Sequence, residues 1–140
     1  NGYRTAMYDN SLVVRQEFLV NLFPTMDGAY KDMDLYLSGN PELPTAFVAD
    51  NDIIALGAMK AMRKHGIKIP EDVSIVGFDD LPFCAVSSPA LTTVKVYQYE
   101  IGRVAVRKLI DTSKNDTLIH SKTEICTEFI ERDTVKKLKR

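Results

Sequence analysis

From residue 2 onward the chain alternates between apolar positions spaced three and four apart and short unbroken apolar runs, the two patterns that distinguish amphipathic helices from buried strands. Tyr3, Ala6 and Met7 fall at helical spacing and stop at the polar trio Asp9, Asn10 and Ser11. The short apolar stretch from Phe18 to Leu22 reads as a strand. Met26, Ala29, Tyr30, Met33 and Leu37 form one helical stripe, ended by the turn formers Ser38, Gly39, Asn40 and Pro41. Thr45 to Ala49 is a buried-strand pattern, and Asn51 to His65 a helix whose wet side carries Lys60, Arg63 and Lys64. Gly66 followed by Ile67 supplies its stop, because glycine takes the left-handed conformation freely and the apolar residue after it packs back on the helix. Val73 to Phe78 and Leu91 to Val96 are further strands. Gln98 to Asp111 is a helix with Ile101, Val104, Ala105 and Leu109 on one face and Glu100, Arg103 and Arg107 on the other, and Glu124 to Ile130 is a last strand.

Strands alternating with helices predict an α/β fold built on a mainly parallel sheet with helices on both faces. In such a sheet the carboxyl ends of neighbouring parallel strands lie on one edge, and ligands bind in the crevice outside it. Asp50, Asn51 and Asp52 follow directly after one strand, and Asp79 and Asp80 directly after another. Two acidic and amide clusters, distant in sequence, are therefore expected on a single rim. Part of each has a scaffolding use. Asp52, or its neighbour Asn51, suits the N-cap of the helix that follows, and Asp80, ahead of Leu81 and Pro82, suits the cap of a short helical turn. Asn51 and Asp79 are left as the candidates for contact with a ligand.

Two chemistries fit such a rim. A carboxylate accepts from neighbouring hydroxyls while an amide both donates and accepts, which suits a polyhydroxylated molecule. Crowded carboxylates suit Mg²⁺ instead. In that second reading Asp50-Asn51-Asp52 is similar to the D-x-D of haloacid-dehalogenase-type phosphohydrolases, with Ile54 where those enzymes carry Thr or Val and without a lysine motif or a second phosphate loop.

Composition narrows the remaining classes. The chain has 140 residues, 45% hydrophobic and 26% charged, enough for the core of one globular domain. A formal net charge of -1 provides no basic field for nucleic acid. The basic cluster Lys136, Lys137, Lys139 and Arg140 is read as a solvated tail. No apolar run reaches the ~20 residues of a membrane span, and the N-terminus lacks the organisation of a secretion signal, so an intracellular protein is expected. Cys84 and Cys126 have neither a CxxC spacing nor a histidine beside them, and are read as ordinary semi-buried thiols. His65 and His120 are read as surface residues outside any triad, and the scattered glycines form no phosphate loop. No cofactor, no metal site and no catalytic residue is expected, and nothing demands an enzyme. The chain opens on a helix without a preceding strand or an initiator Met, the appearance of a piece of a longer protein.

The blocks PTAFVADNDIIALGAMKAMRKHGIKIPEDVSIVGFDD, SSPALTTV, an amphipathic helix and FIERD occur in that order. Together with the opening GYRTAM they resemble the C-terminal part of the effector-binding domain of LacI/GalR-type bacterial transcription regulators. The resemblance implies a periplasmic-binding-protein-like fold of type I, two lobes around a cleft for a sugar or nucleobase, of which this chain holds mostly one. Residues 1–95 and 124–140 would be the C-terminal lobe and 96–123 part of the N-terminal lobe. It also implies a sugar or phosphosugar effector, DNA bound through an N-terminal helix-turn-helix that lies before Asn1, a homodimer, a cytoplasmic location and no membrane. By the same resemblance Asn51 faces the cleft, Asp79 takes ligand hydroxyls and Asp52 holds the capping position. Phe23, five residues before Gly28, matches an aromatic that stacks on the ligand, a core Phe at a strand end being the other reading. Gln98 stands where many members carry Phe on the far wall, which leaves specificity open. A periplasmic sugar receptor for transport is the alternative within the same fold.

Overall fold

The stripe that starts at Met26 forms a helix because Thr25, in extended backbone before it, accepts the Gly28 N–H at 3.1 Å and supplies the N-cap. The computed structural model describes residues 2–114 and 121–137. In order, it contains α1 (Gly2–Asp9), a 3₁₀ turn (Gln16–Phe18), α2 (Met26–Ser38), β1 (Ala46–Val48), α3 (Asp52–Lys64), β2 (Ser74–Val76), α4 (Phe83–Val86), β3 (Thr93–Lys95), α5 (Gln98–Ser113) and β4 (Glu128–Ile130).

The centre of the core lies between α2 and α3. Met33, Met59 and Met62 interdigitate there with Ile75 of β2, Leu91 and Cys84, all of them buried. The helices cross closely at Gly57: a Cβ on that residue would come within 2.5 Å of the Met26 carbonyl oxygen, so only glycine lets the two backbones approach this far.

β1 pairs in parallel with β2, Ala46 opposite Ser74 and Val48 opposite Val76. Beyond Val76 the chain continues alongside the strand that leads into β3, through parallel bridges from Val76 to Thr92 and from Asp79 to Lys95. β3 and β4 are antiparallel, with Lys95 opposite Glu128. The row is thus parallel through its middle with an antiparallel edge, and helices accompany it as the alternating pattern requires. The Thr134 side chain locks the C-terminal segment onto this row. Its hydroxyl donates to the Ile75 carbonyl at 2.7 Å and accepts the Thr92 N–H at 2.9 Å.

Several expectations change. Phe18 to Leu22 is not a strand: the 3₁₀ turn ends at Phe18, and residues 19–22 pair with no neighbour among the described residues. Val20 and Leu22 nevertheless pack against the core. A short apolar run reports burial whatever backbone carries it, and here Arg15 pins the segment from before the turn by gripping both carboxylate oxygens of Glu42 at 2.8 and 2.9 Å. The last strand covers only Glu128–Ile130. Lys136 is not part of a free tail, because its N–H reaches the Ser74 hydroxyl and its ammonium the Glu71 carbonyl; Lys139, Arg140 and His120 lie outside the described residues. Among the described residues, no helix is long and apolar enough to cross a membrane. α1 and α5 contribute no buried residue, and on α5 Tyr99 and Leu109 are 82% and 71% exposed.

Candidate functional site

Backbone hydrogen bonds bring the two polar clusters together at the carboxyl end of the parallel pair. The Ala49 N–H donates to the Val76 carbonyl and the Asp52 N–H to the Phe78 carbonyl, both at 2.9 Å, so residues 49–52 run edge to edge with 76–79. The rim expected from the strand order is present.

Within the first cluster the roles differ from expectation. Asn51, not Asp52, caps α3: Asn51 is in extended backbone, and its Oδ1 accepts the Ile54 N–H at 2.9 Å. That N–H belongs to the third helical residue, the usual target of a capping oxygen, whereas Asp52 already has helical backbone and sits one step too far forward to reach back. The Asp52 carboxylate is fully buried and ties the loops together instead, accepting the Leu81 N–H at 2.8 Å and the Thr93 hydroxyl at 2.6 Å. Asn51 is half-buried, and its Nδ2 makes no hydrogen bond among the described residues.

Asp80 departs in the same way. α4 begins at Phe83 after Pro82 without a side-chain cap. Asp80 Oδ1 accepts from Arg132 Nη2 at 2.6 Å, and Arg132 Nη1 donates to the Leu91 carbonyl at 2.8 Å. Arg132 stands inside the FIERD block, but nothing in its local sequence indicates a partner 52 residues away.

Asp79 stands on the same rim, beside the strand that follows. Its N–H donates to the Val94 carbonyl at 2.8 Å, its carbonyl accepts the Val96 N–H at 3.4 Å, and its half-buried carboxylate accepts no hydrogen bond among the described residues. Burial, and secondarily the charge of Asp52, hold the carboxyl above the ordinary aspartate range. Asp79 and Asp80 both have positive φ, 115° and 58°, a strained pair for residues with a Cβ.

Gln98 opens α5 as an exposed residue, and its N–H donates at 2.8 Å to Val96, the residue bonded to the Asp79 carbonyl. Phe23 is 62% exposed, which removes the core reading. Its side chain lies across Gly28, where an added Cβ would meet it at 2.8 Å, and its N–H donates to Asp32 Oδ2 at 2.7 Å. The structure therefore brings Asn51, Asp79 and the chain leading to Gln98 together; among the described residues no hydrogen bond joins Phe23 to them.

The D-x-D reading finds no paired carboxylates. Asp50 is exposed, Asn51 caps the helix and the Asp52 carboxylate is consumed inside the fold. Among the described residues no three His, Cys, Asp or Glu side chains are arranged to hold a metal. Two surface hollows of about 380 and 410 Å³ lie elsewhere, one beside Met59 and Pro89 and one between α5 and Ile125.

The two cysteines differ sharply. Cys84 is buried, and burial, reinforced by the Asp52 carboxylate nearby, which holds the proton on sulfur, pushes the thiol up to about 12, whereas Cys126 is exposed. Only the thiolate is nucleophilic. Iodoacetamide is expected to label Cys126 alone in the native protein and both thiols after denaturation, read by mass spectrometry. Equal native rates would contradict the buried contact.

A family model described as a periplasmic binding protein-like domain matches residues 1–135. The "Probable HTH-type transcriptional repressor ExuR" of Bacillus subtilis (strain 168) is 32% identical over 137 residues, 98% of this chain and 41% of the relative. The "HTH-type transcriptional repressor PurR" of Haemophilus influenzae (strain PittEE) is 35% identical over 141 residues, again 98% of this chain and 41% of the relative. A crystal structure of a LacI family transcriptional regulator from Enterococcus faecium with bound ribose matches with a TM-score of 0.84 at 25% identity, over 99% of this chain and 51% of that one. The chain thus spans 41% of the length of these two curated relatives.

Proposed function

Because the chain belongs to the periplasmic binding protein-like domain family, we propose that it is the C-terminal part of the effector-binding domain of a LacI-type transcription regulator, with a sugar or phosphosugar as effector. It is a binding module and not an enzyme, and works in the cytoplasm. The whole protein binds DNA through a separate helix-turn-helix and acts as a homodimer. Residues 1–95 and 124–140 form one lobe, and 96–123 contribute to the other.

The single observation that carries the proposal is the Asp79 carboxylate, half-buried and without a hydrogen-bond donor among the described residues, on the rim beside Asn51. Asp52 and Asp80 are spoken for, so Asp79 remains to accept from neighbouring hydroxyls of a sugar, Asn51 Nδ2 to donate, Phe23 to stack on the ring face and Gln98 to add a polar contact from the opposite wall. The relative with bound ribose supports a sugar as the ligand class.

The test is a thermal-shift screen of free sugars, D-ribose among them, and phosphosugars against the full-length protein, followed by DNA binding with and without each hit. At least one sugar is expected to raise the melting temperature and to change DNA affinity, and by linkage DNA must change the affinity for that sugar by the same factor. Metal-dependent hydrolysis of a generic phosphate ester, with no sugar response, would overturn the reading.

A further inference from the structure

We infer that Arg132 is a positioning residue for the effector-contacting carboxylate: its guanidinium clamps Asp80 to the Leu91 carbonyl and so fixes the strained backbone on which Asp79 is presented. The inference rests on the reading of Asp79 as the effector's hydrogen-bond acceptor.

Two successive residues with positive φ and a Cβ persist only where the surroundings over-determine them. At Asp79 the main chain is held on one side by β3 and the residue after it, through Val94 and Val96. Downstream, the Leu81 N–H is held by Asp52. Between these anchors, Asp80 at φ 58° is gripped by a single side chain among the described residues, that of Arg132, at 2.6 Å. Arg132 is itself rigidly placed. Its N–H donates to the Thr92 hydroxyl at 2.9 Å, the next N–H, of Asp133, donates to the Ala90 carbonyl at 2.9 Å, and Thr134 is bonded to both Ile75 and Thr92. The guanidinium is largely enclosed, with its side chain 18% and that of Asp80 15% exposed. Its planar fork is what allows one side chain to hold Asp80 with Nη2 and Leu91 with Nη1 at the same time; a lysine ammonium on a flexible stem does not reproduce that span. The groups around Asp79 are Asp52, Asp80 with Arg132, and Lys95, its bridge partner on the neighbouring strand.

Two arms test this on the full-length protein. The first needs no effector: carboxyl NMR titration follows Asp79 in the wild type, in Arg132→Lys and in Asp80→Asn, the last keeping a residue type that tolerates positive φ. The Asp79 carboxyl is expected to titrate above the ordinary aspartate range in the wild type and to return toward it in both variants, as the loop relaxes into solvent. An unchanged Asp79 titration in either folded variant overturns the inference. The second arm is a calorimetric double-mutant cycle with D-ribose, D-glucose and D-glucose 6-phosphate, each titrated alone. For the sugar that binds, Arg132→Lys is expected to weaken affinity roughly fivefold or more in the wild-type background and to change it little when Asp79 is already Asn, because the two act as one unit. A purely structural arginine would lower the melting temperature and leave the cycle additive, which would overturn the positioning role. If Asp79→Asn alone has no effect on sugar affinity, the reading of Asp79 fails instead, and the titration arm still decides whether Arg132 sets the loop.

Discussion

Gly77→Ala is expected to be severely damaging for a single added methyl, lowering the melting temperature by roughly 10 °C or preventing folding. A Cβ at residue 77 would stand 2.2 Å from Asp52 Oδ1, 3.1 Å from Leu91 Cδ2 and 3.3 Å from the Asp52 Cα. None of these neighbours yields easily. The Asp52 carboxylate is completely buried and bonded to the Leu81 N–H and the Thr93 hydroxyl, and Leu91 is at the bottom of the core. Overpacking costs about 1–3 kcal/mol, and displacing a buried carboxylate from its donors adds about as much again. About 3 kcal/mol, spread over a domain of this size, corresponds to the stated shift. Circular-dichroism melts of wild type and variant check it; a melting temperature within two degrees of wild type would show that Asp52 has room to move, and that the loop junction is looser than the contacts indicate.

Asp79→Asn is expected to weaken the effector by at least tenfold while leaving the fold slightly more stable at neutral pH. A hydrogen bond to a charged group is worth about 1.5–3 kcal/mol, and every 1.4 kcal/mol is a factor of ten. Asparagine is the informative replacement because it tolerates the φ of 115° that alanine would strain. The stability change follows from the direction of the titration. Burial raises the native Asp79 pKa above its unfolded value, so the native state holds the proton more tightly and ionisation costs stability. That cost is absent below the ordinary aspartate range and complete above the native pKa. The variant should therefore melt higher than wild type at pH 7, by a margin kept small by the partial exposure of the site, and the margin should close as the pH falls into the ordinary aspartate range. Melts at several pH values beside sugar titrations separate the two effects. Wild-type affinity in the variant would remove Asp79 from the site; a variant less stable at pH 7 than at pH 3, relative to wild type, would reverse the assigned sign.

Asp52 marks the difference between these two substitutions. Gly77→Ala acts on the junction of Asp52 with the core, whereas Asp79→Asn leaves the scaffold of Asp52, Asp80 and Arg132 in place. Adjacent residues of one loop are thus divided between a carboxylate that holds the loop and one left open, and the division is chemical: Asp52 and Asp80 have internal donors and Asp79 has none among the described residues.

The periodicity of residues 26–37 and 52–64 was sufficient to place α2 and α3, because a helix repeats its buried face every three to four residues and needs no distant partner to declare it. The same holds for the rim. Once β1 and β2 are parallel, Asn51 and Asp79 must fall on the same edge, so the candidate site was legible from strand order alone. What the sequence by itself determined was therefore the face of each element and the edge on which the polar clusters gather. Tertiary structure decided the rest. Asn51 and Asp52 are both good capping types, and only the one-residue register of the helix start assigned the cap to Asn51 and sent Asp52 into the loops. Asp80 looked equally fit to cap α4 until packing placed Arg132 against it. Phe18 to Leu22 had a strand's composition without a strand's pairing, and Phe23, which spacing allowed in the core, came out exposed. Spacing along a chain encodes burial, whereas a hydrogen-bond partner is chosen in space among groups far apart in sequence, and that choice exists only once the core has closed.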